Sequence, residues 1–506
     1  MPSLQKIKNI EASGGIIEST TLLSQGERAP GTLIAGQNIE GAVGRGYRRI
    51  NGSEKYSATA LTGTGAVLGT FPFNSGVVGC REGNVEFGTG TTWTSIVTGR
   101  TAAKYRAARY HWVQDSIVLV NGTDYPIRYQ ADTTYTELTD APQGAFAVAP
   151  FKRHMCFLKG TSLFISSAGD ETDFTLAATE INVGFTINQL AVWREALYVF
   201  GPNNIVKLIG SNQTDWELVP VTGRIGCIAP DTVQEVGSDI FFLAQDGMRS
   251  LAGTDKIGDI DLDTTTRGIE ARINEVVEAV GTDEISSIVI PSKSQYRIFW
   301  DSSATSAEVS KGLLGHLTAE SLQLPELQTE WEWFDLRGFK VACSDWDYDG
   351  INEVVVYGGF DGYVYEFEQG ITVDGTALTS TMTFPQWYYG ETERRKVLHS
   401  IKVYLRLEQG ADITLSNSLD LDALGIPQPP SINLGDYLSA APSVWGDGST
   451  WGDGSTWAQS AYDQTVEVNL IGSCFFHAIT LTSSGVTDSP YIVDGFTVQY
   501  TPKGLQ

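Results

Sequence analysis

Glycine-containing turns recur at regular intervals through the middle of this chain, each between two short apolar strands. They lie at Gly83, Gly122, Gly160, Gly201 and Gly247, about 40 residues apart. Runs of β-branched and aromatic residues on both sides of a turn are typical of a β-hairpin. A period of roughly 40 to 45 residues is typical of four-stranded propeller blades. The pattern predicts an all-β chain whose residues 61–370 form a β-propeller of six or seven blades. A row of hairpins in two sandwiches is the alternative.

The segments on either side of this repeat have different patterns. Residues 1–60 contain glycines that interrupt any long element, which predicts an extended N-terminal arm lying across the main body or a neighbouring subunit. Longer alternating strands in residues 371–506 predict a C-terminal β-sandwich. A Gly/Trp-rich insert at about 419–459 interrupts the sandwich. Its WGDGST repeat either folds back on the sandwich or contacts a partner.

A single stretch has the period of a helix. Ile269, Ile273, Val276, Val277 and Val280 fall on one apolar stripe, which ends at a glycine. We expect this helix to be inserted between blades and to pack on the propeller rim.

The charge balance limits the partners of the chain. It carries 60 acidic against 34 basic residues, a formal net charge of −26. Such a surface repels DNA and anionic membranes, although nucleic acid could slide past it without sticking. No apolar run is long enough for a membrane-spanning helix, and the N-terminal residues lack the apolar segment of a signal peptide. The five widely spaced cysteines suggest no disulfide framework, which fits assembly in a reducing cytoplasm.

The most prominent acidic motif is D-x-D-x-D-G-x-x-E, formed by Asp345, Asp347, Asp349 and Glu353. Alternate carboxylates on one side of a loop, with Gly350 permitting a sharp turn, are the oxygen ligands that calcium prefers. The motif also resembles the calcium loops of integrin-type propeller repeats. A structural calcium site is one interpretation, and no other cofactor is expected. An acidic turn without an ion and a catalytic metal site are the alternatives, and the second lacks an accompanying histidine.

Catalytic motifs are scarce, and we predict that the protein is not an enzyme. None of the five histidines has a metal-binding spacing, and no G-x-S-x-G nucleophile elbow occurs. A propeller glycosidase is the enzymatic alternative, because two carboxylates suffice for glycoside cleavage.

Basic residues form three clusters that are candidate docking patches for acidic neighbours, with ordinary solvated charge as the alternative. The clusters are Arg45, Arg48 and Arg49; Arg100, Lys104, Arg106 and Arg109; and Arg394, Arg395 and Lys396.

Three segments carry a resemblance to a known family. They are AGQNIEG followed by GRGYRRINGSEKY within residues 35–56, the hairpin GGFDGYVYEFEQG at 358–370, and DGFTVQYTPKG at 494–504. In these segments the chain resembles tail hub or nozzle proteins of short-tailed bacteriophages, including the packaged DNA stabilisation proteins.

The resemblance implies a structural virion protein of the phage tail, assembled in the host cytoplasm. It implies a propeller subunit in a ring, typically a homohexamer, below the portal and adaptor proteins and near tail fibre or needle proteins. The ring would enclose the DNA-ejection channel, retain packaged DNA and let double-stranded DNA pass without sequence-specific binding. An acidic lining would repel phosphate and so assist passage. The alternative is a carbohydrate-binding or glycoside-cleaving β-propeller acting at the host surface.

Overall fold

The described part of the chain consists mostly of β-strands, as predicted. A computed structural model gives the fold of residues 5–18, 22–42, 44, 46–175, 180–212, 214–237, 239–252, 265–281, 285–300, 309–324, 327–390, 392–407, 411–422, 426–438 and 462–503. The Trp-rich repeat with Trp445, Trp451 and Trp457 lies outside these residues, as does Arg45.

The described residues of the N-terminal arm form one helix and five short strands. These are β1 (Lys6–Glu11), α1 (Leu22–Arg28), β2 (Ala35–Gln37), β3 (Ile39–Gly41), β4 (Tyr47–Arg49) and β5 (Ser53–Lys55).

Four antiparallel four-stranded sheets follow, here named blades 1 to 4. Blade 1 contains β6 (Val67–Phe73), β7 (Gly76–Arg81), β8 (Asn84–Gly88) and β9 (Trp93–Val97). Blade 2 contains β10 (Arg106–His111), β11 (Asp115–Val120), β12 (Ile127–Gln130) and β13 (Tyr135–Glu137). Blade 3 contains β14 (Ala147–Phe151), β15 (His154–Lys159), β16 (Ser162–Ile165) and β17 (Glu180–Asn182). Blade 4 contains β18 (Gln189–Trp193), β19 (Ala196–Phe200), β20 (Ile205–Ile209) and β21 (Glu217–Thr222).

A three-stranded sheet and two further blades complete the propeller. The sheet contains β22 (Gln234–Val236), β23 (Asp239–Ala244) and β24 (Gly247–Ser250). Blade 5 contains β25 (Ser286–Ile290), β26 (Gln295–Trp300), β27 (Lys311–Leu324) and β28 (Leu327–Leu336). Blade 6 contains β29 (Val341–Asp349), β30 (Asn352–Gly359), β31 (Val364–Phe367) and the arm strand β5.

Inner strands of neighbouring blades contact one another from β6 to β18 and again from β22 to β29, and blade 4 packs on the three-stranded sheet through a shared apolar cluster. The ring closes where β29 meets β6. The predicted β-propeller is therefore confirmed, with six four-stranded blades and the three-stranded sheet between blades 4 and 5. The arm completes it, because β5 pairs antiparallel with β31. Gly52 permits the close approach of the chain after β31 to this arm strand, since a Cβ there would lie 1.9 Å from the Thr372 carbonyl oxygen.

In blades 1 to 4 the second strand carries an apolar run, because both of its faces are buried. In β11, Ile117 and Leu119 pack towards blade 1, while Val118 and Val120 pack towards blade 3. A strand covered on two sides loses the apolar/polar alternation of a half-exposed strand. Each fully buried aliphatic side chain contributes about 1.5–3 kcal/mol.

The helix predicted near residues 269–280 is present as α2 (Glu270–Ala279), preceded by a 3-10 turn at Arg267–Ile269. Ile269, Ile273 and Val276 are buried, and the helix contacts β24 at the side of the propeller.

Two sheets face each other in the C-terminal part. β32 (Thr372–Val373) and β33 (Thr376–Ala377) instead extend the sheet of blade 6 beyond β5. The C-terminal strands of the two facing sheets are β34 (Ser380–Thr383), β35 (Lys396–Leu407), β36 (Thr414–Leu419), β37 (Ile432–Asn433), β38 (Tyr462–Asn469), β39 (Ser473–Cys474), β40 (His477–Ser483) and β41 (Tyr491–Pro502). One sheet has the order β3-β4-β41-β35-β38, with β1 also on β41 and β39 on β35.

The other sheet continues from blade 5 into the sandwich. Its order is β25-β26-β27-β28-β2-β34-β40-β36-β37, so the arm strand β2 joins propeller and sandwich. Gln37 pairs with Asp335 on one side and with Thr381 on the other. The two folding units thus share backbone hydrogen bonds as well as side-chain contacts.

Candidate functional site

A cleft of about 540 Å³ lies at one end of the propeller, between blades 6, 1 and 2. It is enclosed by the hairpins that join the first and second strands of these blades. Asp347 and Asp349 come from blade 6, Ser75 from blade 1, and Arg109 and Asp115 from blade 2. The cleft therefore contains part of the acidic motif that the sequence singles out.

The acidic motif forms a β-hairpin, which corrects the expectation of a carboxylate loop. β29 runs through Asp349, and Asp347 pairs with Val354 across the hairpin. Strand alternation places Asp345, Asp347 and Asp349 on one face. Glu353 pairs with Tyr348, so it lies on the opposite face.

Each carboxylate of the motif has a protein partner. Arg109 contacts Asp345, and its Nε lies 3.1 Å from Asp347 Oδ2. The Ser75 hydroxyl donates to Asp349 (2.9 Å). On the other face, the Ser292 amide donates to Glu353 (3.1 Å). Within the described residues, no group of three or more His, Cys, Asp or Glu side chains is arranged to hold a metal ion.

The remaining cleft residues give it an excess of negative charge. Glu366 of β31 lines the cleft and lies opposite Glu54 of the arm strand β5. Burial raises the pKa of Glu366, and the charge of Glu54 raises it further. A hydrogen bond from Gln369 lowers this pKa but does not cancel the rise. Asp115 bonds to His111 (2.7 Å), and both are exposed. Arg109 is already engaged by two aspartates, so the cleft favours a cationic ligand.

Lys104 and Arg106 of the second basic cluster pair with a carboxylate beside a sheet that is not adjacent to blade 2 in the ring. Arg106 of blade 2 donates two hydrogen bonds, of 2.7 and 2.9 Å, to Asp231 beside the three-stranded sheet. Lys104 lies 3.0 Å from the same carboxylate. Burial alone would raise the pKa of Asp231, but the charges of Lys104 and Arg106 outweigh it and lower the pKa. These ion pairs therefore link two parts of the propeller that are not neighbours in the ring.

One arginine of the first cluster and the lysine of the third are buried, whereas Arg394 and Arg395 are partly exposed. Arg49 is fully buried and donates to the carbonyls of Asp488, Ile371 and Leu378, which joins the end of blade 6 to the sandwich. Lys396 is buried and donates to the Phe475 carbonyl.

A buried charge cluster between arm and propeller is a feature that sequence reasoning missed. Glu40 of β3 accepts bonds from Lys293 (2.9 and 3.0 Å) and Arg48 (2.7 Å). Arg297, fully buried in blade 5, pairs with Glu368 at the end of blade 6. Burial opposes ionisation of Glu40, yet Lys293, Arg48 and Arg297 lower its pKa to about 2. The sequence does contain a signal for this cluster, which is a charged residue inside an apolar run, as in Tyr-Arg-Ile-Phe-Trp at residues 296–300.

Comparison with known proteins gives similarity of fold alone. No family model and no curated protein matches the chain. Similar solved structures include the computationally designed Ika8 protein (TM-score 0.34, 12% identity, 62% of this chain and 99% of that one). They also include Kluyveromyces lactis Hsv2 (0.35, 11%, 63% and 94%) and the Neurospora crassa Pan2 WD40 domain (0.27, 9%, 60% and 76%). Such low scores carry no functional argument.

Among the residues that the structure describes, no helix has the length and apolar character needed to cross a bilayer. All five cysteines are buried free thiols.

Proposed function

We propose that this protein is a structural component of a bacteriophage virion that forms the nozzle or hub ring of a short tail. The ring, a homohexamer, encloses the DNA-ejection channel and retains packaged DNA. It docks the portal and adaptor proteins above it and the tail fibre or needle proteins nearby. The proposal includes no catalytic role.

The observation that carries this proposal is the fusion of arm, propeller and sandwich into one body. Domains joined by a linker move relative to each other unless their interface is large and apolar. Here β2 lies inside a sheet that spans both units, and β5 completes blade 6. A ring that retains packaged DNA needs subunits whose domains do not move relative to each other.

The charge distribution supports the same proposal. Arg49, Arg106, Lys104 and Lys396 are engaged inside the molecule, so they are withdrawn from the outer surface. Arg109, which lines the cleft, is paired with Asp345 and Asp347. The surface of a chain with a net charge of −26 is then poor in sites that grip phosphate. Duplex DNA would pass such a wall without pauses. The channel would be the space between subunits, because Lys104 and Arg106 pair with Asp231 between sheets that are not neighbours in the propeller.

Negative-stain imaging of the purified protein and of the particle that contains it tests the proposal. We expect a ring with an axial hole in the particle, at the tail end of the portal. DNA binding at physiological salt should be undetectable by anisotropy. A protein absent from the tail, or a monomer that cleaves glycans, would refute the proposal.

A further inference from the structure

Two hairpin tips of the propeller expose aliphatic side chains to solvent. Val113, in the β10–β11 turn of blade 2, is 90% exposed, and Ile351, in the β29–β30 turn of blade 6, is 95% exposed. Tight turns favour Gly, Asn, Asp and Ser because these residues fit the turn backbone or bond to it. Neither aliphatic residue is explained by the turn that it occupies.

The equivalent tips of the other four-stranded blades are polar or charged, apart from one proline. They are residues 74–75 (Asn-Ser), 152–153 (Lys-Arg), 194–195 (Arg-Glu) and 291–294 (Pro-Ser-Lys-Ser). Apolar tips are therefore confined to the two blades that flank blade 1.

Both apolar tips border the same cleft. His111 and Asp115, on either side of Val113, line it, as do Asp349 and Gly350, next to Ile351. Tyr348, 53% exposed, also lines the cleft. Scattered exposed apolar residues are ordinary, whereas several on one rim mark an interaction surface.

We propose that this cleft docks a segment of a partner protein in which lysine or arginine is flanked by apolar residues. The cation would lie among Asp115, Asp347 and Asp349, and the apolar flanks would cover Val113 and Ile351. Charge complementarity selects a basic segment, because the one arginine of the cleft is already paired with Asp345 and Asp347. The volume is that of a site for a few side chains. The proposal does not depend on ring formation.

Binding of a short labelled peptide to the full chain tests this surface. The probe is fluorescein-Gly-Leu-Lys-Leu-Arg-Leu-amide, and its matched control has glutamate in place of lysine and arginine. Fluorescence anisotropy should detect the basic peptide, at least about tenfold more tightly than the acidic one, with affinity falling as salt rises.

Two variants separate the apolar rim from the charged walls. Val113→Asn with Ile351→Asn removes the rim, and Asp347→Asn with Asp349→Asn removes two charges while keeping side-chain size. Each should weaken the basic peptide about tenfold. Matched controls are Glu195→Gln, at the tip of blade 4, and Val486→Asn, an exposed valine of the sandwich; both should bind like the parent. Unchanged melting temperatures establish that each variant is folded.

Several outcomes would overturn the proposal. Equal loss of binding in the control variants would mean general attraction to an acidic protein. Undiminished binding in the rim variant, or no binding of the basic peptide at low salt, would exclude a basic apolar segment. Binding of chitotriose in the cleft, with none of the peptide, would assign the site to carbohydrate.

Discussion

Two groups of carboxylates in this molecule carry the same negative charge but have different surroundings. Glu40 and Glu368 are inside a junction where Lys293, Arg48 and Arg297 balance them. Asp115 and Asp349 line an open cleft whose one arginine pairs with other aspartates. The first group is balanced within the chain, and the second leaves charge available to a partner.

Burial explains the difference. A carboxylate removed from water must be paired and hydrogen-bonded, or its charge is too costly to keep. At the surface, water solvates the charge, so no internal partner is required. The buried group therefore joins the arm to the propeller, and the exposed group can select a ligand. The predictions below test this division.

Arg297→Met should have the largest effect. The guanidinium is fully buried against Glu368, which also pairs with Lys293. Its removal breaks a buried charge network and lowers the free energy of unfolding by about 3–5 kcal/mol. Urea denaturation measures the loss. Arg194→Met, at an exposed hairpin tip, is the control and should stay within about 0.5 kcal/mol of the parent. A loss of under about 1 kcal/mol for Arg297→Met would contradict the difference drawn here between buried and exposed carboxylates.

Glu40 should make the protein sensitive to acid. Its folded-state pKa of about 2 lies below the ordinary 4.5, so its contribution to stability is complete above pH 4.5 and is lost as pH falls towards 2. A shift of this size corresponds to about 3 kcal/mol. Denaturation of the parent and of Glu40→Gln between pH 5 and 2 should show a flatter pH profile for the variant. Parallel profiles would show that Glu40 does not titrate in this way.

Arg109→Gln should destabilise the propeller only modestly. Its ion pairs with Asp345 and Asp347 are partly exposed, so we expect a loss of about 1 kcal/mol. The variant adds negative charge to the cleft, and the basic peptide described above should bind more tightly. Weaker peptide binding by a folded variant would mean that Arg109 itself contacts the ligand.

Glu366→Gln should stabilise the folded protein slightly. The substitution removes the repulsion between Glu366 and Glu54, which lie opposite each other on β31 and β5. We expect the free energy of unfolding to rise by about 0.5 kcal/mol. Because the folded pKa of Glu366 is raised, the parent gains stability as pH falls and the carboxyl is protonated. The difference in melting temperature should therefore be present at pH 7 and shrink near pH 4. Glu195→Gln should show no such trend.

Local pattern was sufficient to predict the propeller, since each blade is built from neighbouring segments. The apolar run of β11 and the turn at Gly122 need only nearby residues to define a hairpin. The stripe of Ile269, Ile273 and Val276 likewise indicates a helix wherever it packs.

The carboxylate motif shows where local pattern stops. Alternate aspartates share a side in a ligand loop and on a strand alike, so D-x-D-x-D does not distinguish the two. Only the pairing of Asp347 with Val354, and the position of Arg109 on another blade, reveal a hairpin with ion pairs.

The amino-acid sequence by itself determined the strands, their turns and the excess of acid, because each depends on residue type and short spacing. Tertiary structure alone decided that β5 completes blade 6, that β2 joins the propeller to the sandwich, and which charges are balanced. Those pairings join residues about 300 positions apart. Contacts between such distant segments leave no periodicity in either one, so only the folded chain reveals them.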